Sequence, residues 1–328
     1  MIGDSQALRA VQRLIDKIAR FDEPVLIEGE TGTGKDLAAR ALHYRSVRRD
    51  LPFVPANCGA IPEALLANEF FGHRKGAYTD ARHDAPGLLR LAHRGTLFLD
   101  EIDALTPQGQ VLLLRFIQDQ SFRPLGVRVE ERADVRIIAA TNQDLAEMAR
   151  GGRFRLDLFY RLKVLYLWMP PLRERVGDPE LLARHFMQEL SRRYTTPEKA
   201  LHPATIDWFN RYQWPGNVRE LENLVRREFL LGDGAELRIG GDGLAESGGA
   251  TAAVSWAYRP AKARALAAFD HRFLRELLLR SGGNISLAAK LAGKERRALG
   301  RLLKKYRIDA TDLRARAHQH GGLQLHGR

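Results

Sequence analysis

Apolar positions recur along this chain with two alternating periods, and the alternation outlines most of the fold. Over residues 1–20, Leu8, Val11, Leu14, Ile15 and Ile18 fall on one face of an amphipathic helix. Val25-Leu26-Ile27 is a short β-branched and apolar run, the pattern of a strand; glycines and a helix-like run to about Tyr44 follow it. Phe53–Asn57 reads as a second strand and Glu63–Phe71 as a helix. From His73 to Pro86 the chain is polar and glycine-containing, which interrupts the helical pattern until Leu88–Ala92 resumes it. Gly95–Asp100 and Val135–Ala140 are near-continuous apolar runs, as expected of strands buried on both faces, with a helix at Val111–Gln118 between them. Strands alternating with helices predict an α/β fold on a parallel sheet.

Beyond Pro170-Pro171 only the helical period remains, at Pro179–Tyr194, Pro203–Tyr212 and Val218–Leu231. The predicted organisation is therefore an α/β core over 1–170 and a small all-α subdomain over 171–239. Gly232–Ala253 is rich in Gly, Ala and Asp and without clear periodicity, which places a flexible linker over 240–262, then an all-α domain over 263–308 broken at Gly282-Gly283 and Gly293. Residues 309–328 are a tail expected to be disordered. There is no internal repeat.

The 328 residues suffice for two or three domains. No apolar run approaches a membrane span, since Val164–Leu172 is short and broken by prolines, and the N-terminus has the pattern of an amphipathic helix rather than a signal peptide. The single cysteine, Cys58, excludes an internal disulfide and a multi-cysteine metal site, and reads as a small buried side chain. A reducing compartment is expected, most simply the cytoplasm, with no membrane partner. The formal net charge is +12, and from Arg259 onward 17 Lys and Arg face 5 Asp and Glu, so the whole excess lies in the last fifth of the chain. That asymmetry points to a polyanion partner there.

The sharpest chemical signal is GETGTGKD, residues 29–36, between a strand and a helix. Gly29, Gly32 and Gly34 let the backbone turn so that N–H groups from Gly29, Glu30, Thr31, Gly32, Thr33 and Gly34 point inward at phosphate oxygens, and the helix adds the positive end of its dipole. Lys35 reaches the β- and γ-phosphates. Asp36 stands where Ser or Thr usually touches magnesium. Leu97-Phe98-Leu99-Asp100-Glu101 supplies the other half of an ATP site: Asp100 to hold Mg²⁺, directly or through water, and Glu101 to orient the attacking water.

With these in place, the order GETGTGKD, NEFFGHRKGAYTDA (68–81), GTLFLDEID (95–103), IIAATNQDL (137–145), GRFRLDLFYRL (152–162), PPLRER (170–175) and WPGNVRELEN (214–223) resembles the AAA+ domain of bacterial enhancer-binding proteins, the sigma-54-dependent transcriptional activators. The resemblance covers roughly residues 2–240. It implies an AAA+ P-loop NTPase whose helical subdomain is a lid. It also implies roles for residues that composition and spacing do not assign. Thr141 and Asn142 match sensor I, which feels the γ-phosphate. Arg155 and Arg161 match the two arginine fingers that act in a neighbour's site, and Arg219 matches sensor II in the lid. Asn57 matches the asparagine that holds the catalytic glutamate, here Glu101, in an inactive pose; the alternative is a plain strand-end cap. Asp36 becomes a family trait, with a contact to magnesium through water one role open to it.

Gly76-Ala77-Tyr78-Thr79-Asp80-Ala81 matches the family's GAFTGA loop, which contacts the sigma factor, with Tyr78 replacing Phe and Asp80 replacing Gly. Residues 280–293 resemble a Fis-type helix-turn-helix, with Ser286 as the expected N-cap and Lys294–Tyr306 as the recognition helix. Its Leu299, Leu302 and Leu303 are expected inside, and Arg296, Arg297, Arg301 and Lys304 outside, facing DNA. Three positions depart from the family pattern: Glu295 in place of a hydroxyl cap, Ala298 in place of Thr, and a mid-helix Gly300.

The resemblance implies a homo-oligomer, a hexamer built from dimers, bound to double-stranded upstream enhancer DNA. ATP hydrolysis would drive the 76–81 loop against the sigma-54 RNA polymerase holoenzyme to open promoters. The competing expectation is a DNA-binding regulator that uses nucleotide for assembly alone, and Asp80 is what sustains it. An unrelated AAA+ remodelling enzyme is disfavoured by the helix-turn-helix. The sequence starts at the AAA+ domain, so two expectations stand side by side: it is a fragment of a longer protein, or a separate regulatory protein is a further partner.

Overall fold

The computed structural model describes residues 1–78, 81–232 and 234–240, and, nearer the C-terminus, 273–274, 277–278, 281, 284–294 and 296–305, with backbone alone at 304 and 305. The chain divides into two units, Met1–Leu244 and Ala245–Arg328.

The first unit is built on five parallel strands: β1 (Val25–Glu28), β2 (Phe53–Asn57), β3 (Thr96–Asp100), β4 (Arg136–Thr141) and β5 (Leu165–Trp168). Their order across the sheet is β2-β3-β4-β1-β5. Every residue of β1 and β4 is buried, which is why both read as unbroken apolar runs. β5 is an edge strand that pairs Val25 with Leu165 through Glu28 with Trp168; the hydrophobic pattern did not single it out. It is only partly buried and the prolines at 170–171 end it at once, so it carries little of the alternation that marks a strand.

On one face of the sheet, α1 (Gln6–Ile18) and α2 (Lys35–Tyr44) pack Leu8, Val11, Ile15 and Ile18 against Ala38, Ala39 and Leu42. Ser5 caps α1 by accepting from Leu8 N–H. Leu14, expected on that face, is 38% exposed and lies off it. On the other face sit α3 (Glu63–Phe71), α4 (Pro107–Asp119), α5 (Leu145–Arg150) and α6 (Leu156–Leu162), around Leu66, Phe70, Leu113, Phe116 and Leu158. Thr106 caps α4, with Pro107 in its first turn, so that helix starts four residues before the apolar periodicity does.

Residues 72–87 leave this layer at a narrow neck, where Gly72–His73 pairs antiparallel with Ala85–Pro86. A second ribbon, Ser121–Phe122 with Glu131–Arg132, lies beside it. The two join through Leu125 N–H to the Gly72 carbonyl at 2.9 Å and Arg74 N–H to the Leu125 carbonyl at 3.1 Å.

The helical subdomain consists of α7 (Asp178–Tyr194), α8 (Pro203–Phe209) and α9 (Asn217–Leu231) around Leu182, Met187, Phe209, Trp214, Leu221 and Val225. Trp214 is fully buried and donates its indole N–H to the Phe209 carbonyl at 3.1 Å.

In the second unit, α10 (Ile285–Leu291) and α11 (Arg296–Lys305) pack through Ala288, Ala289, Leu299 and Leu303, with Gly293 at φ +60° turning the chain between them. The cap of α10 is Asn284 rather than Ser286: its side chain accepts from the N–H groups of Ser286 at 3.0 Å and Leu287 at 3.3 Å. The sequence offers two capping residues, and the side chain that reaches both orphan donors is the one outside the helix. The predicted linker over 240–262 beyond Gly240, Glu295, Tyr306 and the tail over 309–328 lie outside the described residues.

Candidate nucleotide site

The site lies at the carboxyl ends of β1, β3 and β4, where the sheet order reverses direction and α/β sheets leave a crevice. Residues 29–34 form a loop that enters α2 at Lys35. Gly34, at φ +93°, is the residue before the helix, a position that favours glycine. A cavity of about 420 Å³ opens above the loop. Its walls are Thr31, Gly32 and Gly34 from the loop, Lys35 to Leu37 from the first turn of α2, Asp100 at the end of β3 and Glu101 after it, Asn142 beyond β4, and Val218, Arg219 and Glu222 from α9.

Lys35 folds back onto the loop, donating to the carbonyls of Gly29 at 2.8 Å and Glu30 at 3.1 Å. Burial pushes Lys35 below the usual ammonium range against the pull of Asp100, and Arg219 acts in the same sense as burial. Asp100 is held above the usual carboxylate range, chiefly by burial and further by Glu101 and Asp36, while the Glu101 N–H and Lys35 oppose this. The pocket thus pairs an under-neutralised cation with an under-neutralised carboxylate. A polyphosphate and a divalent cation would satisfy both.

Glu101 leaves β3 in the left-handed region, φ +52°, which turns its side chain into the cavity wall. Its Oε2 lies 2.6 Å from where a Cβ on Gly59 would sit, and Asn57 Oδ1 lies 3.3 Å from the same point. Asn57 accepts from the N–H groups of Gly59 at 2.8 Å and Ala60 at 3.1 Å, capping the turn Cys58–Ala60, so in this conformation it is a strand-end cap. Cys58, buried beside it, has its thiol pushed up to about 12 by burial and by the carboxylates of Asp100, Asp103 and Glu101.

The sensor pair divides. Asn142 lines the cavity and donates to the Thr31 hydroxyl at 2.9 Å. Thr141 does not face it: it is fully buried, and its hydroxyl donates to Asp103. A residue at the end of a central strand points either into the cleft or behind it, and alternation along β4 puts Thr141 behind.

Arg155 and Arg161 are exposed and do not line this cavity. Arg155 pairs bidentately with Asp157 at 3.0 and 2.7 Å, beside Leu156 and Tyr160, which are 51% and 66% exposed. In the 76–81 loop, Gly76 N–H donates to the Ala81 carbonyl at 2.8 Å. Tyr78 is exposed and packs its ring 5.0 Å from that of His73, which bonds Asn68 at 2.7 Å. Thr79 and Asp80 lie outside the described residues. On α11, Arg296, Arg297 and Arg301 are exposed while Leu299 and Leu303 are buried; the Lys304 side chain lies outside the described residues.

Several residues of the site had no role in the sequence reading. Arg173 pairs with Glu30, Arg175 donates to the Thr33 carbonyl at 2.8 Å, and Asn217 reaches both Glu30 and the Thr31 carbonyl. Asp178 accepts from Asp4 N–H, Ser5 N–H and Ser5 Oγ, tying α7 to the start of α1. All but Asp178 stand within the PPLRER and WPGNVRE motifs, whose regularity was the available signal.

A parallel sheet, a phosphate loop at its switch point, an acidic strand end opposite and a helical lid above define a P-loop ATPase module of the AAA+ type. The chain belongs to the sigma-54-dependent transcriptional activators. Residues 1–168 match the family described as the sigma-54 interaction domain, and residues 173–241 match the AAA+ ATPase lid domain. It is 40% identical over 311 residues to the response regulator protein PilR of Pseudomonas aeruginosa, covering 94% of this chain and 70% of that protein. It is 39% identical over 320 residues to the regulatory protein AtoC of Escherichia coli, covering 95% and 69%. Its structure is similar to that of NtrX from Brucella abortus, with a TM-score of 0.71 at 33% identity over 94% of this chain and 69% of that one. NtrX has also been solved in complex with ATP, for which the TM-score is 0.68. Among the described residues no helix is long and apolar enough to cross a membrane.

Proposed function

We propose that this chain hydrolyses ATP at sites completed by its neighbours in a ring, and spends that energy on opening promoters held by sigma-54 RNA polymerase. The observation that carries the reading is the division of charge. Lys35, Asp100, Glu101, Asn142 and Arg219 converge on one cavity, whereas Arg155 and Arg161 face outward, away from the site they would serve in isolation. Glu101 orients and polarises the attacking water. Lys35 and the backbone of the loop hold the phosphates, and Arg219 closes on them from the lid. An arginine from a neighbour neutralises charge on the transferring phosphoryl group, which makes hydrolysis conditional on assembly.

Asp100 and Asp36 fit a magnesium ion: both line the cavity, and Asp100 lacks full compensation for its burial. Among the described residues no cluster of three or more His, Cys, Asp or Glu could hold a metal on its own, which suits an ion held largely by phosphate and water. Bound magnesium supplies charge neutralisation at the β- and γ-phosphates. The 76–81 loop, on its neck beside the α3 layer, is the surface offered to the sigma factor. The arginines of α11 are the surface offered to double-stranded enhancer DNA, and the ring is a hexamer built from DNA-bound dimers. The domains act as the ATPase core over 1–170, the lid over 171–239 and a DNA-binding module over 263–308, working in the cytoplasm where the polymerase is.

Open-complex formation on a sigma-54 promoter, with ATP and with a non-hydrolysable analogue, tests this. Opening with ATP alone is expected. Equal opening with both would replace the motor with a regulator that uses nucleotide for assembly alone.

A further inference from the structure

A carboxylate within an anion-binding loop is an unfavourable choice unless its charge is neutralised and turned away. Glu30 meets both conditions. It is absent from the cavity wall, and Arg173 grips it with two parallel bonds, Nη1 to Oε2 at 2.9 Å and Nη2 to Oε1 at 2.6 Å. Asn217 adds a third, from Nδ2 to Oε2 at 3.1 Å, and Nδ2 also reaches the Thr31 carbonyl at 3.0 Å. Asn217 is fully buried, sits at φ +52°, and accepts from Leu172 N–H at 2.7 Å. The next residue, Val218, donates its N–H to the Gly32 carbonyl at 3.0 Å, and the one after is Arg219 on the cavity wall. Gly32, at φ +78°, is what allows this approach: a Cβ there would lie 2.3 Å from the Gly216 carbonyl oxygen. Glu30 therefore faces two ways. Its carbonyl accepts from Lys35 Nζ at 3.1 Å and Thr33 Oγ1 at 2.8 Å inside the loop, while its side chain holds the start of the lid at Arg173 and the start of α9 at Asn217.

We propose that the Glu30 carboxylate, clasped by Arg173 and Asn217, is a positioning clamp that fixes the lid, and with it Arg219, over the phosphate site. A phosphate that draws Lys35 off the Glu30 carbonyl acts on the residue that anchors the lid, so nucleotide occupancy and lid position are linked and the linkage is reciprocal. The clamp rests on the nucleotide-binding reading of the cavity. An exposed ion pair contributes little by itself, but this one is bidentate, 36% exposed on each side and shared with a buried amide.

The test is Arg173→Gln in the full chain, alone and combined with Arg219→Ala. The readouts are ATP and ADP affinity by fluorescent-nucleotide titration, steady-state KM and kcat, and amide exchange across 217–231. Arg173→Gln is expected to weaken nucleotide binding roughly five- to tenfold. It should divide its effect between KM and kcat as Arg219→Ala does, speed exchange in α9, and add nothing further in the Arg219→Ala background. Glu30→Gln, which keeps an oxygen for Asn217 and removes the charge, should reproduce this even if Arg173→Gln folds poorly. Unchanged affinity in either variant, or an equal loss with and without Arg219, overturns the clamp. A wild-type chain that bound no nucleotide would overturn the clamp together with the reading beneath it, whereas normal wild-type binding and turnover with variants indistinguishable from it overturns the clamp alone.

Discussion

Glu101 and Asn57 meet at Gly59, where only a hydrogen leaves room for both. Glu101→Gln removes the basic oxygen while keeping the shape, so hydrolysis is expected to fall at least about a hundredfold while ATP still binds. Turnover and nucleotide titration check this, and near-normal turnover would remove Glu101 from its role. A second residue-scale expectation concerns pH. His43 is fully buried with Nδ1 2.9 Å from Thr96 Oγ1, and burial, the largest cause, holds its imidazole below the ordinary histidine range. The unfolded chain therefore takes up a proton before the folded one does. The contribution of His43 is complete above its unfolded pKa of about 6.5 and is lost as pH falls below that value. Thermal melts between pH 7.5 and 5 should show a decline that flattens in His43→Asn. The placing of Lys35 and Asp100 on one cavity was legible because the motif spacing fixes it. The partners of Glu30 were not, since Arg173 and Asn217 stand 143 and 187 positions away and no local pattern reports a contact across that distance. The cap of α10 was placed at Ser286 for a subtler reason: Asn284, two residues earlier, can also cap, and only the helix start decides between them.

At the scale of elements, β1, β2, β3 and β4 were legible as apolar runs, and so were the three lid helices. β5 was hidden at the sheet edge, and the neck beneath the 76–81 loop was hidden by its two-residue strands, too short for any period. The element with the clearest separable test is α11. Its buried Leu299 and Leu303 are independent of the exposed Arg296, Arg297 and Arg301. If Arg297 contacts a phosphate, Arg297→Ala should weaken binding to enhancer and unrelated duplex alike and lower the slope of log affinity against log salt by about 0.9. An unchanged slope would move that arginine off the DNA.

At the scale of the whole molecule, the proposed function would make activity a property of the assembly, because Arg155 and Arg161 are exposed and do not line their own cavity. Arg161→Ala is expected to lose most ATP turnover in homogeneous preparations, although its own cavity is intact. Mixing it with Glu101→Gln, itself inactive, should restore turnover, because some interfaces then join an intact cavity to an intact arginine. If mixing restores nothing, Arg161 serves its own subunit.

The neck has a consequence of another kind. Gly72 and Gly87 are in backbone contact, so near that a Cβ on Gly87 would lie 2.3 Å from the Gly72 nitrogen. Residues 73–86 thus leave and re-enter the body of the protein through a single doorway. Such a segment can be exchanged with the neck kept, provided its replacement also meets the Ser121–Arg132 ribbon, where Arg74 N–H bonds the Leu125 carbonyl and Ala77 lies against Gly126. A chain in which residues 74–84 are replaced by a short turn should still fold and bind ATP, yet open no promoter. Grafting another activator's segment into the same doorway should restore promoter opening.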